Sequence, residues 1–583
     1  MSQNETWSGR KTRLMNRWHA RRATRARPAT GFVSQPEPRT IGSFARGKQL
    51  VAGNLLFAGH LLNEPDTLLW DIQPPNDAFS AELHGFAWLD DLVALGDREA
   101  RVLAQKWLQG WIAQYGRGRG AGWTPDLTGR RLIRWINHAL FVLSGQESEE
   151  TKAFFRSLAQ QTIFLSHRWK AASPGLPRFE ALTGLIYAGL SLTGMEAHVA
   201  PAMKALAREC TDQIDFEGGI PTRNPEELLE VFTLLTWAAS ALSEAGKMAA
   251  GEHLAAIERI APTLRALRHS DGGLARFHGG GRGIEGRLDH ALASSGVRAA
   301  SMIGLAMGYA RLSAGRTNII MDASKPPKGV ASANAHASTL AIEVTSGRRP
   351  VIVNCGSGAH FGEEWRRAGR ATPSHSVQGL TGISSSRLGS IRKVAGLERS
   401  LLVETPRDVR LQKLAEDGST GLVGTHDGYL PSHGLTQIRR IDLGHDGREV
   451  AGEETLAAIS EADQRRFDAA IDKTKLQGVA FTIRFHLHPD VDAALDMGGT
   501  AVSLALKSGE IWIFRYEGPA RMVLEPSVYL EKNRLKPRAT KQVVLSGVAL
   551  DYATRIRWSL AKAQDTPSAI RDLEMDGAAV IVN

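Results

Sequence analysis

Residues 313–330, SAGRTNIIMDASKPPKGV, separate two regions of the chain that differ in the spacing of their apolar residues. Before this stretch, apolar residues recur with the period of an α-helix, and after it they alternate as they do in β-strands. Pro326 and Pro327 mark a linker, because a proline has no backbone N–H to donate to a regular element. The stretch therefore predicts two large domains, one helical and one built from strands.

The helical period runs from about residue 80 to residue 314. Residues 99–115, for example, place Leu103, Trp107 and Trp111 on one face of a helix. Similar segments lie at 130–143, 151–169, 178–194, 198–214, 225–246, 250–269 and 287–314. Because short loops join these segments and no strict repeat is visible, we expect helix hairpins arranged as an incomplete α/α toroid.

After residue 325, short β-rich segments follow one another without helices between them. They lie at 339–344, 351–353, 437–443, 479–484, 501–506, 511–514 and 542–545. Such a succession predicts an antiparallel β-sandwich. We therefore expect a multidomain α + β protein, with a basic tail and linker at 1–49, an α/α toroid at 50–320 and a β-sandwich at 321–583.

The net charge of +10 is concentrated at the start of the chain. Residues 1–50 contain eleven Lys and Arg against Glu5 and Glu37, so the rest of the chain is nearly neutral. A nucleic-acid partner is not expected, because the globular body has no excess of basic residues. Residues 10–27 predict a basic amphipathic helix. It either contacts an anionic membrane surface or an acidic partner, or it docks on the body through Leu14, Met15 and Trp18.

The remaining sequence-wide features concern compartment. No apolar run reaches the ~18 residues that a membrane span requires, and residues 10–27 lack the apolar segment of a secretory signal. A cytoplasmic location is therefore expected by default. Cys210 and Cys355 are too few for a disulfide framework, so isolated thiols are expected.

Several motifs of the β-rich region are rich in His, Arg and Asn. They are NAHAS (334–338), VIVNCGSG (351–358), EEWRRAGRATPSHS (363–376), HDGY (426–429), RFHLHP (484–489) and LEPSVY (524–529). In these motifs, and upstream in DFEGGIPTRNPEELLE (215–230), the chain resembles the heparinase II/III family of polysaccharide lyases. The resemblance covers nearly the whole chain after residue 30. It implies an α/α toroid followed by a β-sandwich, an acidic polysaccharide as partner, and a periplasmic or cell-envelope location.

Lyases of this family cleave uronate-containing glycans by β-elimination. The reaction needs a neutralised C6 carboxylate, a base for the C5 proton and an acid for the leaving oxygen. The resemblance implies catalytic roles for His336 and His375, and Tyr429 is the candidate general acid. Arginine matches a carboxylate in a bidentate fork. The expected substrate-binding residues, which should line a cleft between toroid and sandwich, are Arg178, Arg223, Asn224, Arg367, Arg370 and His426.

The chain departs from the family pattern on its helical domain. Where members carry an Asn-His pair, this sequence has Arg178, Phe179 and Glu180. Where members carry Tyr, it has the residues Asn-Pro-Glu-Glu at 224–227. Neither position supplies the expected proton-transfer group. Because of the family resemblance, a polysaccharide lyase is still the first hypothesis. The alternative is a catalytically reduced glycan-binding protein or a carbohydrate-active enzyme of different mechanism.

A metal site is the last feature that the resemblance suggests. His336, Asn354 and His375 stand where several members have residues near zinc, with Asn354 in the place of an Asp ligand. A neutral Asn is a poor zinc ligand. We therefore expect that no cofactor is required, and zinc held by these three residues is the alternative.

Overall fold

A computed structural model describes residues 7–65, 67–298, 304–394, 397–532 and 534–563 of the 583-residue chain. The N-terminal half is helical, as its period predicts. Its helices are Trp7–Ala23 (α1), Phe44–Val51 (α2), Asp77–Gly85 (α3), Trp88–Leu95 (α4), Arg98–Tyr115 (α5), Pro125–Asn137 (α6), Ala139–Leu143 (α7), Ser148–Arg168 (α8), Leu176–Ser191 (α9), Val199–Gln213 (α10), Pro225–Glu244 (α11), Gly251–Ala266 (α12) and Arg287–Ser294 (α13).

Helices α6 and α9 form the tightest helix pair of this half. They cross at Gly129 and Gly184, where a Cβ on Gly184 would lie 2.5 Å from the Cα of Gly129. Only glycine permits such an approach of two backbones. The crossing brings the start of α9 beside the first turns of α6, and residues 179–191 of α9 are all buried.

The C-terminal half is the predicted antiparallel sandwich. A short hairpin in the helical half, Asn54–Phe57 (β1) and His60–Asn63 (β2), precedes its strands. The first strands are Tyr309–Ala314 (β3), Thr317–Asp322 (β4), Ile342–Ser346 (β5), Arg349–Val353 (β6), Gln378–Leu380 (β7), Arg387–Val394 (β8), Leu397–Glu404 (β9), Val409–Glu416 (β10) and Ser419–Tyr429 (β11). The others are Leu435–Gly444 (β12), Glu449–Ala457 (β13), Val479–Leu487 (β14), Val491–Asp496 (β15), Ala501–Leu506 (β16), Ile511–Glu517 (β17), Ala520–Tyr529 (β18), Arg538–Ala549 (β19) and Ala553–Lys562 (β20).

The strands form two large sheets. One has the order β10-β11-β12-β13-β20-β17-β16-β15, and the other has the order β18-β19-β14-β6-β5-β4-β3, with β7 paired to β14. Strands β8 and β9 form a separate ribbon. Short helices at Glu363–Ala368 (α14), Leu430–His433 (α15) and Glu461–Lys473 (α16) lie between strands. The α14 segment carries the Arg-rich motif.

The boundary between the halves lies earlier than the sequence predicts. Strands β3 and β4 belong to the sandwich sheet, so a domain boundary at 320/321 cuts through β4. A helix over 287–314 is also wrong, since α13 ends at Ser294 and β3 begins at Tyr309. All six residues of β4 are buried, so the strand has no polar face and does not alternate. Alternation identifies only strands with one exposed face.

Helix α1 docks on the body, but through the face opposite to the one expected. Asn16, Ala20 and Ala23 are buried, and Arg168 of α8 donates from Nε to Asn16 Oδ1 at 2.8 Å. The large apolar side chains that remain exposed are Trp7, Leu14, Met15 and Trp18. Docking through Leu14, Met15 and Trp18 is therefore wrong, because small residues allow the closer contact with α8.

Candidate functional site

A buried ion pair joins the two halves where several of the predicted site residues meet. Arg223, just before α11, pairs from Nη2 with Oδ1 of Asp322 at the end of β4, at 2.7 Å. The same guanidinium donates to the carbonyl oxygens of Met307, Gly308 and Lys325. Arg223 is therefore fully engaged inside the protein and offers no N–H group to a ligand carboxylate.

A chain of histidines continues from this ion pair into the sandwich. His278 faces Asp322 Oδ2 at 3.4 Å through Nε2, and its Nδ1 accepts a hydrogen bond from the backbone N–H of His336 at 3.1 Å. His336 Nδ1 lies 3.0 Å from His375 Nε2, and His375 Nδ1 lies 2.9 Å from the carbonyl oxygen of Ala371. Since that carbonyl can only accept, His375 donates from Nδ1, and His336 donates from Nδ1 to His375.

The three linked histidines, His278, His336 and His375, are neutral because they are buried. Burial lowers the pKa of His375 to about 4 and holds the pKa of His336 well below its usual range. His375 is 0% exposed and His336 is 1% exposed. Together with Arg223 they converge as the sequence predicts, but inside the junction of the two halves rather than on an open surface. Their catalytic role stays a prediction, and their burial argues against it.

Three further predicted site residues lie close to these histidines and are also buried: Tyr429, His426 and Arg370. Tyr429 packs against Gly379, where an added Cβ would lie 3.4 Å from the Tyr429 hydroxyl. Burial raises the pKa of Tyr429. Arg370 donates three hydrogen bonds, to the carbonyl oxygens of Ala335, Ser400 and Ser332. His426 accepts a hydrogen bond at Nδ1 from the backbone of Gly428. All three side chains contribute to the packing of the sandwich.

The other expected substrate-binding residues are dispersed. Arg178 pairs from Nη1 with Glu209 Oε2 of α10 at 3.0 Å. Asn224 is the N-cap of α11, where its side chain accepts hydrogen bonds from the backbone N–H groups of Glu226 and Glu227. Arg367 is exposed on α14. Of these residues, Asn224 lies beside the junction of the two halves, next to Arg223 and Glu226.

The expected zinc ligands do not fit a metal ion as they are arranged. His336 and His375 are hydrogen-bonded directly to each other, whereas two nitrogens that share a zinc each lie about 2.0–2.1 Å from the ion. Asn354 Oδ1 accepts a hydrogen bond from the Ser376 N–H at 2.9 Å. Across the parts of the chain that the structure describes, no group of three or more His, Cys, Asp or Glu side chains has a metal-binding arrangement.

Charged side chains from both halves, all of them partly exposed except the buried Glu180, meet at a second place along the junction. We call this set the junction cluster: Glu82, Arg130, Glu180, Glu226, Glu227 and Lys532. Arg130 of α6 donates from Nε to Glu180 Oε1 of α9 at 2.5 Å, across the glycine crossing. Lys532, in the loop after β18, pairs with Glu226 of α11. The cluster therefore joins the helices of the toroid to the sandwich.

The carboxyl groups of the junction cluster differ in their protonation. Burial raises the pKa of Glu180 to about 7 and that of Glu227 to about 7. Burial acts in the same direction on Glu226, but the ammonium group of Lys532 outweighs it and lowers the pKa. Glu180, Glu226 and Glu227 lie in the segments where the sequence departs from the family. Glu82, Arg130 and Lys532 carry no sequence signal, since isolated charges on amphipathic elements are normally solvated.

Comparisons with known proteins agree with this architecture. Residues 298–559 match the family described as Heparinase II/III-like, C-terminal. FtsZ-localized protein C of Caulobacter vibrioides is 29% identical over an alignment of 548 residues, which covers 92% of this chain and 91% of that protein.

The solved structures of two lyases have the same fold. Heparinase III superposes with a TM-score of 0.67 at 13% identity, over 93% of this chain and 88% of its own. Heparan sulfate lyase HepC of Pedobacter heparinus superposes with a TM-score of 0.54 at 12% identity, over 96% of this chain and 89% of its own. The predicted helical toroid followed by a β-sandwich is thereby confirmed.

Proposed function

We propose that the chain, whose residues 298–559 match the family described as Heparinase II/III-like, C-terminal, binds a glycan at the junction of toroid and sandwich without cleaving it by β-elimination. One contrast supports this proposal. The residues expected to move protons, His336, His375 and Tyr429, are buried, whereas the junction cluster is partly exposed, with Lys532 at 31% and Arg130 at 32%. The cluster holds the charged groups of both halves that a sugar in the junction would touch.

β-Elimination of a uronate-containing glycan is the competing candidate. The family resemblance supports it, and the lyase fold of the solved relatives is compatible with it. Two features argue against it. The helical positions for Asn-His and Tyr hold Glu180 and Glu227 with their neighbours. Arg223 is saturated with carbonyl and carboxylate acceptors, and the buried Arg370 gives three of its N–H groups to carbonyl oxygens.

Filling the junction without changing its charge is expected to abolish glycan binding. A Cβ on Gly281 would lie 3.3 Å from Lys532 Cδ and 3.5 Å from Glu226 Oε2. The ring of Gly281→Phe would therefore occupy the space between the halves and weaken binding at least about tenfold, or roughly 1.4 kcal/mol. Isothermal titration with uronate-containing, N-acetylated and amine-bearing oligosaccharides measures the loss.

The matched control for this variant is Gly251→Phe, since a Cβ there meets no heavy atom within 4 Å. The ultraviolet absorbance of an unsaturated product is followed in the same samples. A rise in absorbance with any uronate-containing oligosaccharide would establish the lyase. Unchanged affinity in Gly281→Phe would place the glycan elsewhere.

A second candidate function rests on helix α1. We propose that α1 contacts an anionic membrane surface, because it is held on the body by one face and presents tryptophan and arginine on the other. Trp7 is 80% exposed and Trp18 is 50% exposed. Lys11 lies 5.9 Å from the ring of Trp7, and Arg22 lies 5.3 Å from that of Trp18. Aromatic rings flanked by basic residues suit the interface between headgroups and acyl chains. Among the helices that the structure describes, none is long and apolar enough to cross a membrane.

Vesicle binding tests this second function. The protein is expected to co-sediment with vesicles that contain phosphatidylglycerol and not with purely zwitterionic ones, since each basic residue near an anionic surface adds about 1 kcal/mol. The double variant Trp7→Ala with Trp18→Ala is expected to lose most of this binding, whereas Trp365→Ala, an exposed tryptophan on the sandwich, keeps it. Equal binding by both variants would contradict a role for α1.

The name of the Caulobacter relative suggests a partner for the chain in its membrane-bound state. We propose that the membrane-bound chain associates with FtsZ, as that relative is named to do. Purified FtsZ should then co-sediment with anionic vesicles only when this protein is present. This function requires a cytoplasmic location, whereas an envelope glycan requires a periplasmic one, so cell fractionation separates the two candidates.

A further inference from the structure

The junction cluster contains more carboxyl groups than basic groups. Two cations, Arg130 and Lys532, are shared among Glu82, Glu180, Glu226 and Glu227. The charges of Asp126 and Glu230 also act on Glu180. Two further arginines nearby are already paired, Arg46 with Asp91 and Arg287 with Glu230. An anionic sugar would therefore enter a region that holds more carboxyl groups than cations to neutralise them.

The side chain of Glu180 provides independent evidence for a ligand at the junction cluster. Its side chain is 9% exposed, and Oε1 is bound to Arg130. Oε2 is buried and has no hydrogen-bond partner among the residues that the structure describes. A buried acceptor without a donor costs free energy, so native proteins rarely keep one unless something else supplies the donor. When Glu180 is ionised, Oε2 can only accept, so the group missing from that state carries N–H or O–H.

The second carboxyl group lacks a full counter-charge as well. Glu227 lies near the hydroxyl of Thr222 and the shared ammonium of Lys532. Burial raises the pKa of both Glu180 and Glu227 to about 7, so that neither is fully ionised near neutral pH. An opposite charge placed beside such a group favours its ionised form. A ligand cation would thus be stabilised here more strongly than by carboxylates that are already paired.

We infer that the junction cluster selects an amine-bearing sugar, such as a glucosamine unit, over a uronate. This inference rests on the proposed glycan-binding function and names the class of sugar. An ammonium group brings three N–H donors and a positive charge to Glu180 Oε2, and Glu227 adds a second carboxyl group with an incomplete counter-charge to the same cluster. An N-acetylated sugar brings one neutral N–H, and a uronate brings a further carboxylate. Charge-assisted hydrogen bonds are the stronger ones, which sets the expected order of affinities.

Titration calorimetry with three oligosaccharides of equal length tests the inference: a glucosamine oligomer, its N-acetylated counterpart and a uronate-containing fragment of heparan sulfate. The glucosamine oligomer is expected to bind about tenfold or more tightly than the N-acetylated one, and the uronate fragment more weakly than either. Glu180→Gln and Glu227→Gln should each weaken the binding of the glucosamine oligomer about tenfold. Both should leave the N-acetylated oligomer nearly unaffected. Glu149→Gln, an exposed glutamate on α8, is the matched control.

The outcomes separate this inference from the function on which it rests. If the uronate or N-acetylated oligomer binds as tightly as the glucosamine oligomer, the cluster does not select an amine, although the protein still binds glycans. The same conclusion follows if Glu180→Gln and Glu227→Gln, shown folded by thermal unfolding, bind the glucosamine oligomer as the unmodified protein does. If no oligosaccharide binds, the glycan-binding function itself is wrong.

Discussion

Asp322→Asn is expected to lower the free energy of unfolding by about 3–5 kcal/mol, because it leaves a buried guanidinium without its counter-charge. Asp322 is 0% exposed. Its carboxylate accepts from Arg223 Nη2 at 2.7 Å and from the Ser338 hydroxyl at 2.7 Å. The pair also joins the toroid to the sandwich, so both halves should unfold together in urea. Equilibrium denaturation followed by tryptophan fluorescence measures the loss.

The effect of this substitution should depend on pH. Burial by itself would raise the pKa of Asp322, but the guanidinium of Arg223 and then His278 hold it well below its usual range. The unfolded chain therefore takes up the proton first as the pH falls. The stability that the ionised carboxylate contributes is complete above the ordinary pKa of about 3.9 and is lost below it. The difference between the protein and Asp322→Asn should shrink in acid.

Asp289→Asn is the matched control for Asp322→Asn. Asp289 pairs with Arg268 at 2.9 Å, but its side chain is 59% exposed. Exposed pairs contribute about 0–1 kcal/mol, because water screens them. A loss in Asp322→Asn no larger than that of the control would mean that the ion pair does not hold the two halves together.

Acid is expected to destabilise the protein strongly between about pH 6.5 and pH 4. Burial lowers the pKa of His375 and His426 to about 4 and that of His486 to about 3. An unfolded histidine binds its proton near pH 6.5, so over this interval the unfolded chain holds more protons than the folded one. Stability therefore falls as the pH falls, by up to about 1.4 kcal/mol per pH unit for each such histidine.

His486→Gln isolates one of these contributions. His486 donates from Nε2 to the carbonyl oxygen of Pro373 at 2.9 Å, and its Nδ1 accepts from the Ser527 hydroxyl at 2.8 Å. The variant should flatten the dependence of unfolding free energy on pH by up to about 1.4 kcal/mol per unit, whatever its stability at neutral pH. Exposed His290→Gln should keep the original slope. An unchanged slope in His486→Gln would show that His486 is not held neutral in the folded protein.

Single-residue variants are needed because other groups act in the opposite direction. The pKa values of Glu180 and Glu227 are raised to about 7, so the folded protein takes up their protons before the unfolded chain does. Their contribution to stability grows as the pH falls. The slope of the whole protein is the sum of both effects, and only the difference between two variants assigns it to one side chain.

The order of the elements was predictable wherever one face of an element meets water. Strand β12 alternates buried and partly exposed residues along its whole length, and its prediction was nearly complete. Strand β4 is buried at every position and was assigned to a linker. Helix α1 was predicted as a helix, but its docking face was wrong. Amphipathic pattern alone cannot tell a surface that packs from one that is left exposed.

The candidate site divides in the same way. The family motifs identified His336 and His375, and the structure places the two side chains in a direct hydrogen bond. Their burial depends on three residues from other parts of the chain: Arg223, Asp322 and His278. Glu180 was recognised only as a departure from the family. Its partner Arg130 was not, because the two meet only where α6 crosses α9.

By itself, the sequence determined the helical and strand-rich halves, their order, and the basic tail, because periods of 3.6 and 2 residues are local properties of a chain. Only the tertiary structure decided which polar groups are buried at the junction and which remain partly exposed. That outcome depends on contacts such as Arg223 with Asp322, 99 residues apart. Burial depends on neighbours brought together by the fold, and it determines whether a histidine can exchange protons or a carboxyl group can receive a ligand.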